Sequence, residues 1–569
     1  METTPQSFLI EFSDKPLFTI TAGAAMFGLP VAFLLIWLYK LAVNRSMRRV
    51  TGISDSDFSR ALATGSAAGG PQSQLAIARL DGHTAASAAA SALGRGALNG
   101  SWRNAMIYAN AGLAFSIIIS LGYLVALGDA TSLHTFLFLF VNNSWPILVS
   151  MGIARSYTWR GWSAIAAAYF LLFLVQFAIA VLTKTAIWSS VRLGASDLMV
   201  INMTAIIFSL CFLSRGLRAA GPLVYLLMLA LLGGLTLMST VLESRFGEDA
   251  GSQSQWFATF SEPYGLSGRT VAVTLNLSVL AVFGIVGWIV MRGLGGLYRR
   301  GWVSDQTLTI DAVWLLSASF HSIVLSSLGW RVSLIVPLAA FLAYKVIATA
   351  GFAALLPGSR SAADAPTLLL LRVFKLGRNS RNFFHAFAEP WRFAGNLRLI
   401  AGPDLATTTV EPHEFLEFLS GRLSRRFIAD PEDLAQRLSE AAPRRDFDGR
   451  YRVADFFCHD DTWKLVLDRL AQDSDVVLMD LRGFGPENKG CIYEISTLLA
   501  TVPLQRIILV VNQQTDDAFL RQTLATSWAA VPAGASNRST ANPNIRLFPL
   551  SRRRDVAGLV QAVASAATS

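Results

Sequence analysis

Val332–Phe374 reads VSLIVPLAAFLAYKVIATAGFAALLPGSRSAADAPTLLLLRVF, and two kinds of chain meet inside it. Up to Leu356 the residues are apolar apart from Lys345 and a few hydroxyls, enough to cross a hydrocarbon core of roughly 30 Å as a helix. Beyond Pro357 the chain turns small and polar, and Thr367–Phe374 is then a leucine-rich run of strand length. The expected fold class follows: a multi-span α-helical membrane protein over 1–356, joined to a cytosolic α/β Rossmann-like parallel-sheet domain over 357–569.

Working back from this junction, apolar runs of spanning length fall near 17–43, 104–127, 134–153, 162–183, 197–214, 222–242, 270–292, 310–328 and 332–356. That makes about nine transmembrane helices. The run at 310–328 is the weakest, because it holds Asp311, His321 and several serines; a re-entrant or interfacial segment is its alternative. The whole chain is 53% apolar and 15% charged, too oily for an ordinary soluble protein. Before Pro357 there are 22 basic and 14 acidic residues, and from it onward 26 and 24. Of the net charge of +10, +8 (22 less 14) therefore sits in the membrane half, where short cytoplasmic loops collect Arg, and nucleic acid is not an expected partner.

Loop charge sets the orientation. With the N-terminus outside, the inner connections contain Arg45, Arg48, Arg49, Arg60, Arg79, Arg95, Arg103, Arg155, Arg160, Arg215, Arg218, Arg299 and Arg300. The outer ones mix a few basic residues with Asp129, Glu243, Glu248, Asp249 and Glu262. The chain reads as a bacterial inner-membrane protein, N-terminus out and C-terminal domain in. Glu2, Glu11 and Asp14 stand where a signal peptide would be basic, so the first span reads as retained. The inner loop 44–103, rich in Ala, Gly and Ser, is expected to be partly disordered with a short helix.

In the C-terminal half, strands are expected at Thr367–Phe374, Leu397–Ala401, Val476–Leu481, Arg506–Val511 and Ile545–Phe548. Helices are expected near 379–388, 411–425, 431–441, 461–472, 490–501, 515–529 and 553–567. Ligands of such sheets settle beyond the carboxyl ends of the strands. The residues there are Arg372 and Phe374, Gly402 and Asp404, Asp480 and Arg482. Arginines beside glycine-bearing turns suit an anionic group such as phosphate. Neither a dinucleotide fingerprint nor a Walker A sequence follows the first strand.

The segment from Asp475 to Ile495, DVVLMDLRGFGPENKGCIYEI, resembles the third-strand region of the superfamily that joins nucleoside deoxyribosyltransferases with TIR domains. There a strand leads through a glycine-containing loop to a helix whose first turn presents a glutamate. The resemblance implies that Glu494 is the catalytic residue, acting at the anomeric carbon of a nucleoside or of NAD, with Tyr493 as the aromatic beside it. An N-glycosidase or NAD-hydrolase activity, with NAD or another nucleotide as ligand, is the corresponding expectation. The chain departs from the pattern in lacking an early aromatic dipeptide on the first strand, and in placing Lys489-Gly490-Cys491 where relatives carry a serine.

Three functions follow. The first is a membrane-anchored sensor or effector that binds, and in the hydrolase case cleaves, a nucleotide- or NAD-like ligand. The second is a channel or transporter regulated by that domain, motivated by Asp311, His321 and Lys345 within spans. The third is a ligand-free scaffold. The bilayer and a nucleotide are the expected partners, with self-association left open. Cys211, Cys458 and Cys491 lack metal-ligand spacing, His413 among glutamates reads as a solvated helix face, and no metal is expected. Asp460 or Asp461 reads as a helix N-cap.

Overall fold

The computed structural model describes residues 16–47, 74–80, 87–127, 133–155, 159–182, 220–246, 258–259, 262–325, 330–356, 365–372, 377–401, 412–459, 461–552 and 555–568. It divides into two compact units. One holds Met1–Leu38, Ala105–Phe352 and Glu411–Leu416; the other holds Tyr39–Asn104, Ala353–Val410 and Glu417–Ser569.

In chain order the helices of the first stretch are α1 (Pro16–Met47), α2 (Ala88–Leu127), α3 (Leu133–Asn143), α4 (Trp145–Ala154), α5 (Trp159–Leu182), α6 (Gly221–Phe246), α7 (Gly268–Arg299), α8 (Asp305–Leu325) and α9 (Trp330–Leu355). Among the described residues, six stretches are long and apolar enough to cross a membrane: Met26–Met47, Ala88–Ala126, Thr135–Ala154, Gly268–Arg299, Asp305–Leu325 and Arg331–Leu355. The apolar runs of α5 and α6 are shorter, Gly161–Leu172 and Gly221–Leu235. The expected span at 197–214, with Cys211, lies outside the described residues.

Within the helical unit, α8 is the most enclosed of these stretches and α7 the least. Its polar residues are turned inward. Gln306 Nε2 donates to Ile153 O at 3.2 Å, and the Thr307 and Tyr108 hydroxyls are 2.8 Å apart. Asp311 accepts from Tyr344 and Lys345, and His321 Nδ1 lies 3.1 Å from the Tyr123 hydroxyl. The serines and histidine that made this run look interfacial instead mark it as an interior helix, since polar groups away from water need partners in the chain. Lys345 is held by Asp311 at 2.6 Å.

The apolar run at 134–153 forms two helices because Pro146 has no N–H to give the carbonyl of Asn142. Tyr169 supplies that donor at 2.9 Å, and Ser116 Oγ donates to Asn143 O at 3.1 Å. Glycines let α6 and α7 pack closely: Gly234 faces the ring of Phe283, and Gly287 faces Leu227.

The second unit is built on an eight-stranded, wholly parallel sheet. Its strands are β1 (Ala76–Arg79), β2 (Thr367–Arg372), β3 (Asn396–Ala401), β4 (Phe427–Ile428), β5 (Val453–Cys458), β6 (Val476–Asp480), β7 (Ile507–Val511) and β8 (Asn544–Pro549). They lie in the order β1-β8-β7-β6-β2-β3-β5-β4. All five expected strands are present. The additions are both edges: β1 from the inner loop, and β5 with the two-residue β4. The helices are α10 (Gly377–Trp391), α11 (Pro412–Leu419), α12 (Pro431–Glu440), α13 (Trp463–Gln472), α14 (Lys489–Thr501), α15 (Asp517–Ala529) and α16 (Val556–Ala567).

A parallel sheet is buried on both faces, and β2 is buried at every residue. On one face α13, α14 and α15 place Val466, Leu467, Leu498 and Leu520 against Leu369, Val477 and Leu509. On the other, α10 and α16 bring Phe387, Trp391, Leu559 and Val563 to Leu368, Leu399, Leu478 and Ile508, and the start of α2 adds Leu93 and Ala97 to the same cluster. The inner loop thus gives this unit a strand and part of its cover. Gly100 is required there, because a Cβ would stand 2.2 Å from the Phe393 ring.

A fragment of residues 357–569 should therefore leave the Leu93 and Ala97 docking surface and the β8 edge open. It should aggregate or bind a hydrophobic dye, whereas the same fragment fused to residues 74–104 should melt cooperatively without dye binding. A lone fragment that melts as cooperatively as the fusion would show the added segment to be dispensable.

Candidate functional site

The middle of the sheet runs β3-β2-β6-β7-β8, so the chain moves one way from β2 to β3 and the other way from β6 onward. The carboxyl ends of β2 and β6 form the topological switch point, where ligands of open α/β sheets bind. Arg372 and Asp480 end these two strands and are partners in register. Arg482 follows directly.

The Asp480–Arg482 pair closes on itself. Arg482 Nε and Nη2 donate to Asp480 Oδ1 and Oδ2 at 2.7 and 2.8 Å, and the guanidinium lies 4.3 Å from the centroid of the Phe383 ring on α10. This bidentate fork is the geometry an arginine would otherwise offer to phosphate.

The turn after β6 is held from the neighbouring loop. Gly483 adopts φ 73°, and its N–H donates to Asn512 Oδ1, which also accepts from Gln514 N and Thr515 Oγ1. Gly485 N–H donates to Asn488 Oδ1. Both glycine N–H groups are satisfied internally, and Asn488, the N-cap of α14, has its side chain on Gly485 and leaves the first turn of α14 uncapped.

Glu494 sits in the second turn of α14, not the first as the resemblance implies, and points inward, 1% exposed. Its Oε2 is buried with no hydrogen-bond partner. Burial pushes its carboxyl up from 4.5 to about 8, opposed by a hydrogen bond from the Cys491 thiol and by the charge of Arg372. Burial, with Glu494 adding to it, also pushes the Cys491 thiol up. Tyr493 faces elsewhere: its ring meets Trp463 edge-on at 5.3 Å, with the Lys464 ammonium 5.2 Å above it.

The structure therefore brings Arg372, Asp480 and Arg482 to the carboxyl ends of β2 and β6, with Glu494 buried near Arg372, and turns Tyr493 toward α13. Phe374, Gly402 and Asp404 lie outside the described residues, as does the side chain of His413. Sequence reading assigned no role to Cys491, one turn before Glu494, or to Asn512, which follows the fourth expected strand and whose amide braces the turn. At the start of α13 the N-cap is Thr462, not Asp460 or Asp461: its Oγ1 accepts from His459 N–H and donates to Ile428 O. His459 Nδ1 reaches Ser46 O at the end of α1, 2.9 Å away. Among the described residues no group of three or more potential metal ligands occurs.

No protein family, curated protein or solved structure matches the chain.

Because the folded state keeps a proton on Glu494 that the unfolded chain releases near pH 4.5, this residue makes stability fall as pH rises from 4.5 to about 8. Glu494→Gln should melt above the native protein at pH 8, with the difference shrinking toward pH 4.5. A melting difference independent of pH would sink this assignment.

Proposed function

We propose that the protein is a membrane-embedded sensor whose α/β unit binds a nucleotide- or NAD-like ligand at the β2/β6 switch point. One observation carries this reading: a buried carboxyl oxygen with nothing to bond, Glu494 Oε2, beside Arg372 at the place in the sheet where ligands settle. A buried polar atom without a partner is expensive, and a ligand hydroxyl or phosphate oxygen would satisfy it. The uncapped first turn of α14 offers backbone N–H groups to an anion.

Binding is favoured over cleavage. Attack at an anomeric carbon needs an exposed, ionised carboxylate, and Glu494 is buried and largely protonated at neutral pH. The resemblance to TIR and deoxyribosyltransferase domains supports the ligand class more than the reaction.

The same reading gives the chain a topology. Tyr39–Asn104 and Ala353–Val410 share one compact unit, which supports reading both on one side of the membrane with an even number of crossings between them. The nine spans read from the sequence, eight of them from 104 to 356, agree with this, and the arginine-rich loops favour the cytosol as the shared side.

Titrating the full chain in detergent with NAD, ADP-ribose and AMP tests the proposal. At least one should bind without being consumed, and Glu494→Gln and Arg372→Gln should each weaken binding by about tenfold or more. If none of the three binds the native chain, the reading fails; if NAD is consumed, cleavage replaces binding.

A further inference from the structure

A second charged cluster lies away from the strand-end crevice, on the hairpin 445–452, and every residue of it belongs to the α/β unit. The hairpin closes through an antiparallel bridge between Arg445 and Tyr451, with Gly449 at φ 83°. Its acids are engaged by their own neighbours. Asp446 accepts from Arg452 Nε on both oxygens, at 2.9 and 3.2 Å, and from Nη2 at 2.7 Å, while Glu389 and Asp448 lie 3.3 and 3.6 Å from Arg450. Asn104 Nδ2 on α2 donates to Asp448 O at 2.9 Å, which fixes the hairpin against the helix.

Arg103 and Arg445 are different. Neither forms a salt bridge with a carboxylate among the described residues. Arg103 lies against the Phe393 ring, and its Nε and Nη2 are buried with no hydrogen-bond partner. Arg445 spends its Nε on Gly449 O. The Nη2 atoms of Arg103 and Arg445 both come within 3.3 Å of the point where a Cβ on Gly449 would stand. Two like charges thus converge beside Gly449, with Leu356 Cδ2 packed at 2.5 Å from the same point. Burial of Arg103 Nε and Nη2 and the nearby charge of Arg445 work against its guanidinium, and the charge of Asp448 opposes them as the smallest of the three effects; an anion between the two arginines would relieve both desolvation and repulsion.

The place identifies the anion. Arg103 is the last charged residue of α2, and Leu356, whose side chain also meets Gly449, directly follows the candidate span Arg331–Leu355. On the reading of these helices as membrane spans, the two arginines stand at the depth of the lipid headgroups. We propose that Arg103 and Arg445 form a binding site for the phosphate of an anionic phospholipid. Guanidinium groups fork onto phosphate oxygens, and basic pockets at the cytoplasmic ends of spans are suited to such headgroups.

The test uses delipidated full-length protein in neutral detergent, with bound lipid counted by native mass spectrometry and thermal unfolding followed in parallel. Phosphatidylglycerol should be retained and should raise the melting temperature, with phosphatidylcholine and inorganic phosphate giving little of either. The double variant Arg103→Gln/Arg445→Gln should lose phosphatidylglycerol affinity by about tenfold or more, and Arg103→Lys/Arg445→Lys should keep part of it. Equal retention of the two lipids by the native protein would overturn the proposal. So would unchanged binding in a double Gln variant that circular dichroism shows to be folded, and protection by inorganic phosphate as strong as by the lipid would remove the lipid from the assignment. If the Gln variant does not fold, the comparison of lipids on the native chain decides.

Discussion

A parallel sheet has no face that can be left to water, and the arrangement of the α/β unit follows from that requirement. The residues after Pro357 supply four helices, α12 to α15, to the core on one face but only α10 and α16 as helical cover in the core of the other. The gap is filled from more than 250 residues upstream, by Leu93 and Ala97 of α2. The same upstream segment pairs β1 with β8, so the edge that would otherwise offer unpaired backbone groups is continued. Tyr39, Val43 and Met47 at the end of α1 join Phe427 and Phe457 in a smaller cluster at the opposite edge of the sheet. The loop between the first two long helices is thereby pinned at both ends to the fold that the C-terminal half begins.

The helical unit answers the same demand with polar groups. Removing the N–H of residue 146 would strand the Asn142 carbonyl in a dry interior, and the Tyr169 hydroxyl takes the place of the missing donor. Asp311 and Lys345 stand 34 residues apart and satisfy each other. His321 finds Tyr123. Polar residues that would signal a pathway when viewed alone thus have structural partners, and α8 carries them because it is the helix most surrounded by others. This weakens the transport reading that these residues motivated and leaves the α/β unit as the better place to look for a ligand.

What could be read in advance depended on the range of the interaction. Runs such as Leu368–Leu371 and Val476–Met479 announce buried strands because every residue on them must be apolar, and Glu494 could be placed near a strand-end crevice because helix and loop lengths are local. β5 was hidden by Asp455 in its middle, and β1 by an alanine-rich setting whose pairing partner is 468 positions away. The Asp480–Arg482 fork is short-range, yet two residues of opposite charge beyond a strand read equally well as ligand groups or as partners. The depth of Glu494 was not legible, since it depends on α14 meeting the sheet through Cys491, Ile495 and Leu498.

On the proposed reading, these facts constrain the ligand. Arg482 already holds a carboxylate with two well-directed bonds and stacks on Phe383, so a ligand that recruits it must present an anion of the same forked geometry; a neutral base or sugar could not displace Asp480. Displacement would free a carboxylate beside Arg372, its partner in register on β2, and the two strand ends could re-pair without leaving a buried charge alone. Glu494, protonated at rest, contributes no second negative charge to oppose an incoming phosphate. A proton-bearing carboxyl and an exchangeable Arg–Asp fork at neighbouring strand ends are therefore matched to phosphate-bearing ligands, and they disfavour free nucleosides.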